Sequence, residues 1–396
     1  MSIFETCKRK IGKEIKHIEF FCNKEVPQMR IAILTLPLRY NYGGILQNFA
    51  LQTVLRRMGH EVITLEPKRY KFSWRQHILH IVHRVVGRYL LGHYNNSILG
   101  RWRSDNKIRK LGTNTFKFVD KYIKRKEYAD LYNDVTSDEF DAYIVGSDQV
   151  WRPEYNKNLP NMFLDFTRDW EVRRIAYAAS YGVSTWSANA STTEECRMGL
   201  RKFDLVTVRE DSGISLCNSL FGVKAQYVLD PTLLLTKEDY YSMLHLSNIP
   251  KSKGNLLVYI LDYTEDKRKL INRIAEEHHL VPFRVNSDYE NYKADLNRRI
   301  QPPVEQWLRG FYDADYVVTD SYHACIFSII FKTPFVVYAN AFRGTARYDS
   351  LLEHLFLQNN LVFSSDEFHG FNNYLQVSID ELEILRKESI EFLKRI

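Results

Sequence analysis

The residues best suited to chemistry sit at the ends of apolar runs. Asp320-Ser321-Tyr322-His323 follows Tyr316–Thr319 and leads into the apolar stretch Ile326–Phe331. Asp320 and Ser321 stand where a helix N-cap belongs, which puts His323 in the first helical turn. Free N–H groups, the positive end of a helix dipole and an imidazole together suit an anion. The plain alternative is a structural histidine.

Three other run ends carry polar clusters. Arg209-Glu210-Asp211 follows Leu205–Val208. A guanidinium projecting from there into a cleft matches a carboxylate or phosphate, and a surface charge cluster is the alternative. Gly146-Ser147-Asp148-Gln149-Val150-Trp151 follows Ala142–Val145. Ser147, Asp148, Gln149 and Trp151 offer a hydroxyl, a carboxylate, an amide and an indole, the groups that grip a sugar, and Asp148 is a candidate general base. The same residues also read as a helix cap followed by a core Trp. Asn41-Tyr42-Gly43-Gly44 opens the segment that carries Gln47. Gly43 and Gly44 permit a ligand close to a helix N-terminus, and the amides of Asn41 and Gln47 suit sugar hydroxyls. A mere turn is the alternative there.

Positioning these ends requires parallel strands with helices between them. Ile31–Leu36 is a buried-strand run, and Ile45, Leu46, Phe49, Ala50, Val54, Leu55 and Met58 then recur at helical spacing. Gly59 stops that helix and Glu61–Leu65 is the next strand, a βαβ grammar that implies a parallel sheet. It continues through Ala142–Val145, Ile175–Ala178, Leu205–Val208 and Ala225–Leu229. A second series comprises Leu256–Leu261, Val281–Val285, Tyr316–Thr319 and Phe335–Tyr338. The fold expected is α/β, with two doubly wound Rossmann-like domains facing a cleft, since ligands of open parallel sheets lie beyond the carboxyl ends of the strands. The polar stretch Pro250–Gly254 marks the division. It separates an N-terminal domain over 31–245, preceded by an extension over 1–30, from a C-terminal domain over 254–378. A last helix over 379–396 starts on a capping box of Ser378 and Glu381.

At 396 residues, 45% hydrophobic and 26% charged, the chain suits two folded domains and not a disordered one. Its five scattered cysteines form no CxxC pair or Cys/His cluster, so neither a disulfide framework nor a metal site is expected. The charged start MSIFETCKRKIGKEIKHIEFF lacks an apolar leader core, and no run approaches the ~20 apolar residues of a membrane span. A soluble cytoplasmic protein is the expectation.

Charge is uneven. Residues 66–127 hold 16 Lys and Arg against four Asp and Glu, in a chain of net charge +7. Inside this basic insertion, Gln76–Leu91 sets Ile78, Ile81, Val82, Val85, Val86, Tyr89 and Leu90 on one helical face and His77, His80, Arg84 and Arg88 on the other. Such a face suits an anionic membrane, which places the protein peripherally at its inner side; a helix packed on the domain is the alternative. Nucleic acid is not expected, because no recognised binding motif accompanies the charge.

Six blocks run in order along the chain: NYGGILQNFALQTVLRRMGHEV, FDAYIVGSDQVW, RIAYAASYG, FDLVTVREDSG, YVLDPTLLL and ADYVVTDSYHACIFSIIFKTPFVVY. Together they resemble the polysaccharide pyruvyl transferase family, from about Ile31 to about Leu357. The resemblance implies a GT-B-like fold, phosphoenolpyruvate as donor with no cofactor, and a glycan acceptor of a capsule, exopolysaccharide or cell wall, or its lipid-diphosphate-linked precursor. The product it implies is a pyruvate ketal on two sugar hydroxyls, with phosphate released. The family's functional Arg and His correspond to Arg209 and His323, and Tyr322 stands where other members often have Phe. Arg209 and His323 are then expected to meet one anion, with Asp148 or Asp320 as base, Ser321 beside the donor and the N-terminal domain on the acceptor side. Two other readings stay open: a glycosyltransferase of the same architecture using a nucleotide sugar, and a non-catalytic glycan-binding subunit.

Overall fold

A computed structural model describes residues 28–68, 107–289, 291, 293–340, 344–370 and 375–396. The expected amphipathic segment Gln76–Leu91 and most of the 1–30 extension lie outside these residues.

Strand β1 (Arg30–Leu34) feeds α1 (Tyr42–Arg57), β2 (Glu61–Pro67), α2 (Thr113–Tyr122), β3 (Arg125–Tyr128) and β4 (Ala142–Val145). Then come β5 (Arg173–Ala179), α3 (Ala190–Leu200), β6 (Leu205–Val208), α4 (Asp211–Leu216) and β7 (Gln226–Tyr227). These seven strands pair in parallel in the order β3-β2-β1-β4-β5-β6-β7. After α5 (Lys237–Met243) a second series begins: β8 (Leu256–Tyr259), α6 (Glu265–Glu277), β9 (Pro282–Phe283), α7 (Val304–Asp313), β10 (Tyr316–Thr319) and α8 (Tyr322–Phe331). It closes with β11 (Phe335–Tyr338), α9 (Ala346–His354), β12 (Leu361–Val362) and α10 (Leu375–Leu393). The second sheet is also parallel, in the order β12-β11-β10-β8-β9.

β4 and β10 are fully buried and, Thr319 apart, built of apolar and aromatic residues, as strands covered by helices on both faces must be. Strand order reverses between β1 and β4 in the first sheet and between β8 and β10 in the second. A switch point opens a crevice beyond the carboxyl ends of its two flanking strands. The segments after β1, β4 and β10 are the ones that carry Asn41, Asp148 and His323. Below the cleft the two sheets share one core, in which the Tyr42 ring stacks on Trp307 at 5.2 Å between centroids and its hydroxyl donates to the Pro302 carbonyl at 2.8 Å.

Several expected elements change at their ends, and at β1, β8 and β7 a tertiary bond takes over. β1 stops at Leu34 rather than Leu36, where the Thr35 hydroxyl turns to the Ser147 carbonyl at 3.0 Å. β8 stops at Tyr259, since the Leu261 N–H bonds Asp320 at 2.7 Å instead. β7 keeps only Gln226–Tyr227, and the Leu229 N–H goes to the Ser389 hydroxyl of α10 at 3.0 Å. β9 is reduced to Pro282–Phe283. The last helix starts at Leu375, so Ser378 lies inside it and the expected capping box at Ser378 and Glu381 does not form. This helix returns to the N-terminal sheet, where Arg386 donates to the Leu233 carbonyl at 2.7 Å. Residues 113–127, expected within the basic insertion 66–127, build α2 and most of β3 of the first sheet. Arg125 pairs there with Glu66 at 2.7 Å and Lys126 with Glu139 at 2.6 Å, which matches two of the basic charges at that end of the block.

Candidate active site

Buried carboxylates tie the strand ends together. A carboxylate out of water must be matched by donors or cations, and each of these is. Asp320, after β10, accepts from the Leu261 and Asp262 N–H groups at 2.7 and 3.1 Å and pairs with Lys267 at 2.7 Å, which fixes the loop after β8. Glu210, after β6, accepts from the Tyr181 and Gly182 N–H groups at 2.7 and 3.1 Å and fixes the loop after β5. Asp230, after β7, accepts from the Thr232 N–H and hydroxyl at 3.0 and 2.6 Å and from the Gln47 amide of α1.

Arg209 lies at the centre of these carboxylates. It is fully buried, with Nη1 2.6 Å from Asp230, Nη2 3.3 Å from Asp148 and Nε 3.9 Å from Glu210. Burial lowers its pKa, but Asp230, Tyr322 and the other carboxylates outweigh burial and hold it firmly charged. The expectation that Arg209 projects into the cleft is therefore corrected: it lies beneath the cavity, and acids already consume its charge.

His323 joins this cluster from the other sheet. Its Nε2 is 3.9 Å from Oδ2 of Asp230 and is buried without a hydrogen-bond partner. The ring packs on Gly43 so closely that a Cβ there would stand 2.0 Å from Nδ1, which makes glycine a requirement of the contact. Thus the first turn of α1 and the first turn of α8 meet at one imidazole. Ser321, at the N-cap of α8, makes no side-chain cap bond. Desolvation pushes the His323 pKa down to about 4; Asp230 opposes and Arg209 assists, so the ring is neutral at neutral pH. Burial pushes the Asp230 carboxyl up, but Arg209, His323 and Thr232 outweigh it and hold the group ionised below its ordinary value.

Above the cluster lies a cavity of about 220 Å³. Asn41, Asp148 and Gln149 line it from the first sheet, and Asp320, Ser321 and His323 from the second. Asp148 has a φ of 75°, in the left-handed region that a non-glycine residue seldom occupies. Gly44 lines an adjoining cavity. Gly43, Gln47, Ser147 and Trp151 reach neither space. Gln47 and Ser147 are buried beneath it, where the Gln47 amide donates to the Ser147 hydroxyl at 3.0 Å, so neither faces a sugar. Asp320 is saturated by its donors and is not placed to take a proton. Trp151 is fully buried, stacked on Phe163 at 5.1 Å, with its indole N–H donated to the Met162 carbonyl at 2.9 Å. Its expected place under a sugar is corrected to a place in the core.

Two site residues escaped the sequence reading. Asp230 lies inside the block YVLDPTLLL, which carries the family resemblance but gives this Asp no role. Arg347 lines the cavity, and its guanidinium stands 5.1 Å from the centroid of the Tyr322 ring, with that of Arg209 at 5.0 Å. Nothing in its local sequence marks it. Among the described residues no group of three or more His, Cys, Asp and Glu side chains is placed to hold a metal ion, and no helix is long and apolar enough to cross a membrane.

The fold and site define a two-sheet parallel α/β protein with a polar cleft at both switch points. The polysaccharide pyruvyl transferase family model matches residues 41–341, and the chain belongs to that family, which makes it a transferase of polysaccharide biosynthesis. A search of curated proteins finds no match. Among solved structures, Arabidopsis thaliana UGT89C1 complexed with UDP-L-rhamnose is similar at 8% identity and TM-score 0.46, over 92% of this chain and 99% of that one. A glycosyltransferase from Rickettsia africae ESF-5 is similar at 10% identity and TM-score 0.46, over 93% and 98%. At these scores the likeness says nothing about substrate.

Proposed function

We propose that the chain transfers the pyruvyl group of phosphoenolpyruvate to two hydroxyls of a sugar in a polysaccharide or its lipid-linked precursor, releasing phosphate. The observation that carries this is the imidazole of His323, unpartnered at Nε2, where two helix N-termini meet. Helix N-termini attract anions, and Arg347 lines the same cavity, which suits a donor bearing a phosphate and a carboxylate on one carbon.

His323 is neutral in the free site, and an anion bound beside it raises its pKa and draws a proton onto the ring. In the step proposed, that proton goes to the vinyl CH2 of the donor and one sugar hydroxyl adds at C2, losing its proton to Asp148. The second hydroxyl then displaces phosphate from C2, and its proton leaves with the phosphate. Two C–O bonds form, one C–O bond to phosphate breaks, and nothing is oxidised or reduced. Arg209 serves as the buried counter-charge that holds Asp148 and Asp230 in place. Incubating the protein with phosphoenolpyruvate and a series of glycosides tests the reading. Phosphate release together with a new ketal methyl signal in the NMR spectrum supports it, and turnover with nucleotide sugars alone refutes it.

The acceptor's cellular form is a further part of this proposal. The basic residues of Gln76–Leu91 are proposed to hold the protein against anionic lipid, where a lipid-linked glycan is presented. Co-sedimentation with anionic vesicles that fades with salt is the expected result. Equal recovery in the supernatant of wild type and an Arg84→Glu, Arg88→Glu variant refutes it.

A further inference from the structure

Several tyrosines line the cleft cavity, and Tyr155 is the most exposed of them, whereas Tyr40 and Tyr289 are half-buried and pack on each other at 4.6 Å. Tyr155 ends the short turn Pro153–Tyr155 and is 50% exposed. Its side chain borders the cleft cavity and an adjoining cavity of about 300 Å³, and Asn41, Asp148 and Gln149 border both as well. The ring is held in place by Arg152, whose guanidinium lies 4.7 Å from its centroid and also bonds Gln149 at 2.8 Å. On the far side of the same turn, Pro153 and Asn156 begin a more open groove of about 650 Å³. One turn is thus the rim between the cleft and a path leading outward.

The chemistry of that path suits neutral sugars. Asn156, Asn158, Asn161 and Asn189 line it, and Tyr132, itself 51% exposed, stands along it. An amide both donates to and accepts from hydroxyls, and an aromatic face covers the C–H side of a sugar ring. The charged lining residues are Lys157 against Asp165 and Glu195, a balance that does not favour phosphate. We infer that this groove and Tyr155 form an acceptor path, in which one sugar stacks on Tyr155 near Asp148 and its neighbours along the chain lie in the asparagine groove. The acceptor class is then a neutral oligosaccharide of several residues, not a monosaccharide or a nucleotide sugar. The inference rests on the proposed sugar acceptor and narrows it.

The test is equilibrium binding of the full chain to neutral oligosaccharides from monosaccharide to hexasaccharide, in galactose, glucose, mannose and N-acetylglucosamine series. Affinity is expected to rise with length in at least one series, by about tenfold between monosaccharide and tetrasaccharide. Tyr155→Ala loses about tenfold in affinity, Tyr155→Phe keeps it, and Asn158→Ala with Asn161→Ala removes only the gain from length. Unchanged melting temperatures show that these surface variants remain folded. Affinity independent of length, no binding by any member of the panel, or wild-type binding by Tyr155→Ala overturns the inference. Melting shifts with phosphoenolpyruvate, read in parallel, separate the two readings. Oligosaccharide binding without any donor response keeps the groove and sinks pyruvyl transfer. Ketal formation as fast on monosaccharides as on oligosaccharides keeps the transfer and sinks the groove.

Discussion

Oδ2 of Asp230 takes a 2.6 Å bond from Arg209 and lies 3.9 Å from Nε2 of His323, so one carboxylate oxygen joins the buried cation of the first sheet to the imidazole of the second. Asp230→Asn removes that charge and leaves Arg209 leaning on Asp148 and Glu210. Breaking a buried pair from one side typically costs about 3–5 kcal/mol, so a clear drop in the urea midpoint is expected. Changing Arg209 and Asp230 together, to Met and Asn, should cost less than the sum of the two single changes. Strict additivity in that cycle would show that the pair is not coupled.

His323 gives stability a particular pH dependence. Its folded pKa, about 4, lies below the ~6.5 of an unfolded histidine, so the unfolded chain binds the extra proton first as pH falls. Stability is therefore full above about pH 6.5 and declines as pH falls toward 4, by an amount on the order of 2–3 kcal/mol. Asp230 acts in a different window. Its folded pKa is depressed, so its contribution is present above the ordinary carboxylate range and is lost only as pH falls through the lower folded value. Urea midpoints at pH 7, 5.5 and 4.5 should converge for His323→Gln and diverge for wild type. Equal slopes for both proteins would place the titration elsewhere.

Adjacent glycines should behave differently. Alanine in a helix normally stabilises by up to about 1 kcal/mol relative to glycine. At Gly43 the new Cβ would stand 2.0 Å from the His323 ring, which must move, whereas at Gly44 it would stand 3.1 Å from an Asp148 oxygen and need only a small adjustment. Gly43→Ala is expected to reduce pyruvyl transfer by about 100-fold or more, through displacement of the imidazole, and Gly44→Ala by much less. Initial rates on one acceptor decide it, and equal losses would count against the packed imidazole.

The strands that frame the site were legible because a parallel strand covered on both faces must be a nearly continuous apolar run, as in Ala142–Val145 and Tyr316–Thr319. β3 was not legible. Its sequence, Arg-Lys-Glu-Tyr, has the charge of an edge strand, and it is held by pairing with β2 and by the Arg125–Glu66 bridge. At the site, the sequence marked which strand ends carry polar clusters but not which way each side chain turns. Asp148, Gln149 and His323 reach the cavity, while Arg209, Gln47 and Ser147 are drawn beneath it by buried bonds to Asp230 and to one another. Asp230 and Arg347 enter from segments far along the chain, and only tertiary packing brings them in.

Trp151 supplies the sharpest contrast with an acceptor role. The indole stacks on Phe163, lies 5.3 Å from Tyr181 and gives its N–H to the Met162 carbonyl. Truncating a buried Trp to Ala typically costs about 3–5 kcal/mol through lost burial and the cavity left behind, and here it also orphans a buried carbonyl. Trp151→Ala is therefore expected to lower the melting temperature markedly. The fraction that stays folded at low temperature should bind phosphoenolpyruvate and oligosaccharides with wild-type affinity. Tyr155→Ala should show the reverse, an unchanged melting temperature with weakened oligosaccharide binding. Calorimetric titrations at 10 °C, run beside melting curves, separate the two. Should Trp151→Ala keep its stability and lose only acceptor binding, the indole belongs to the site and the assignment to Tyr155 is wrong.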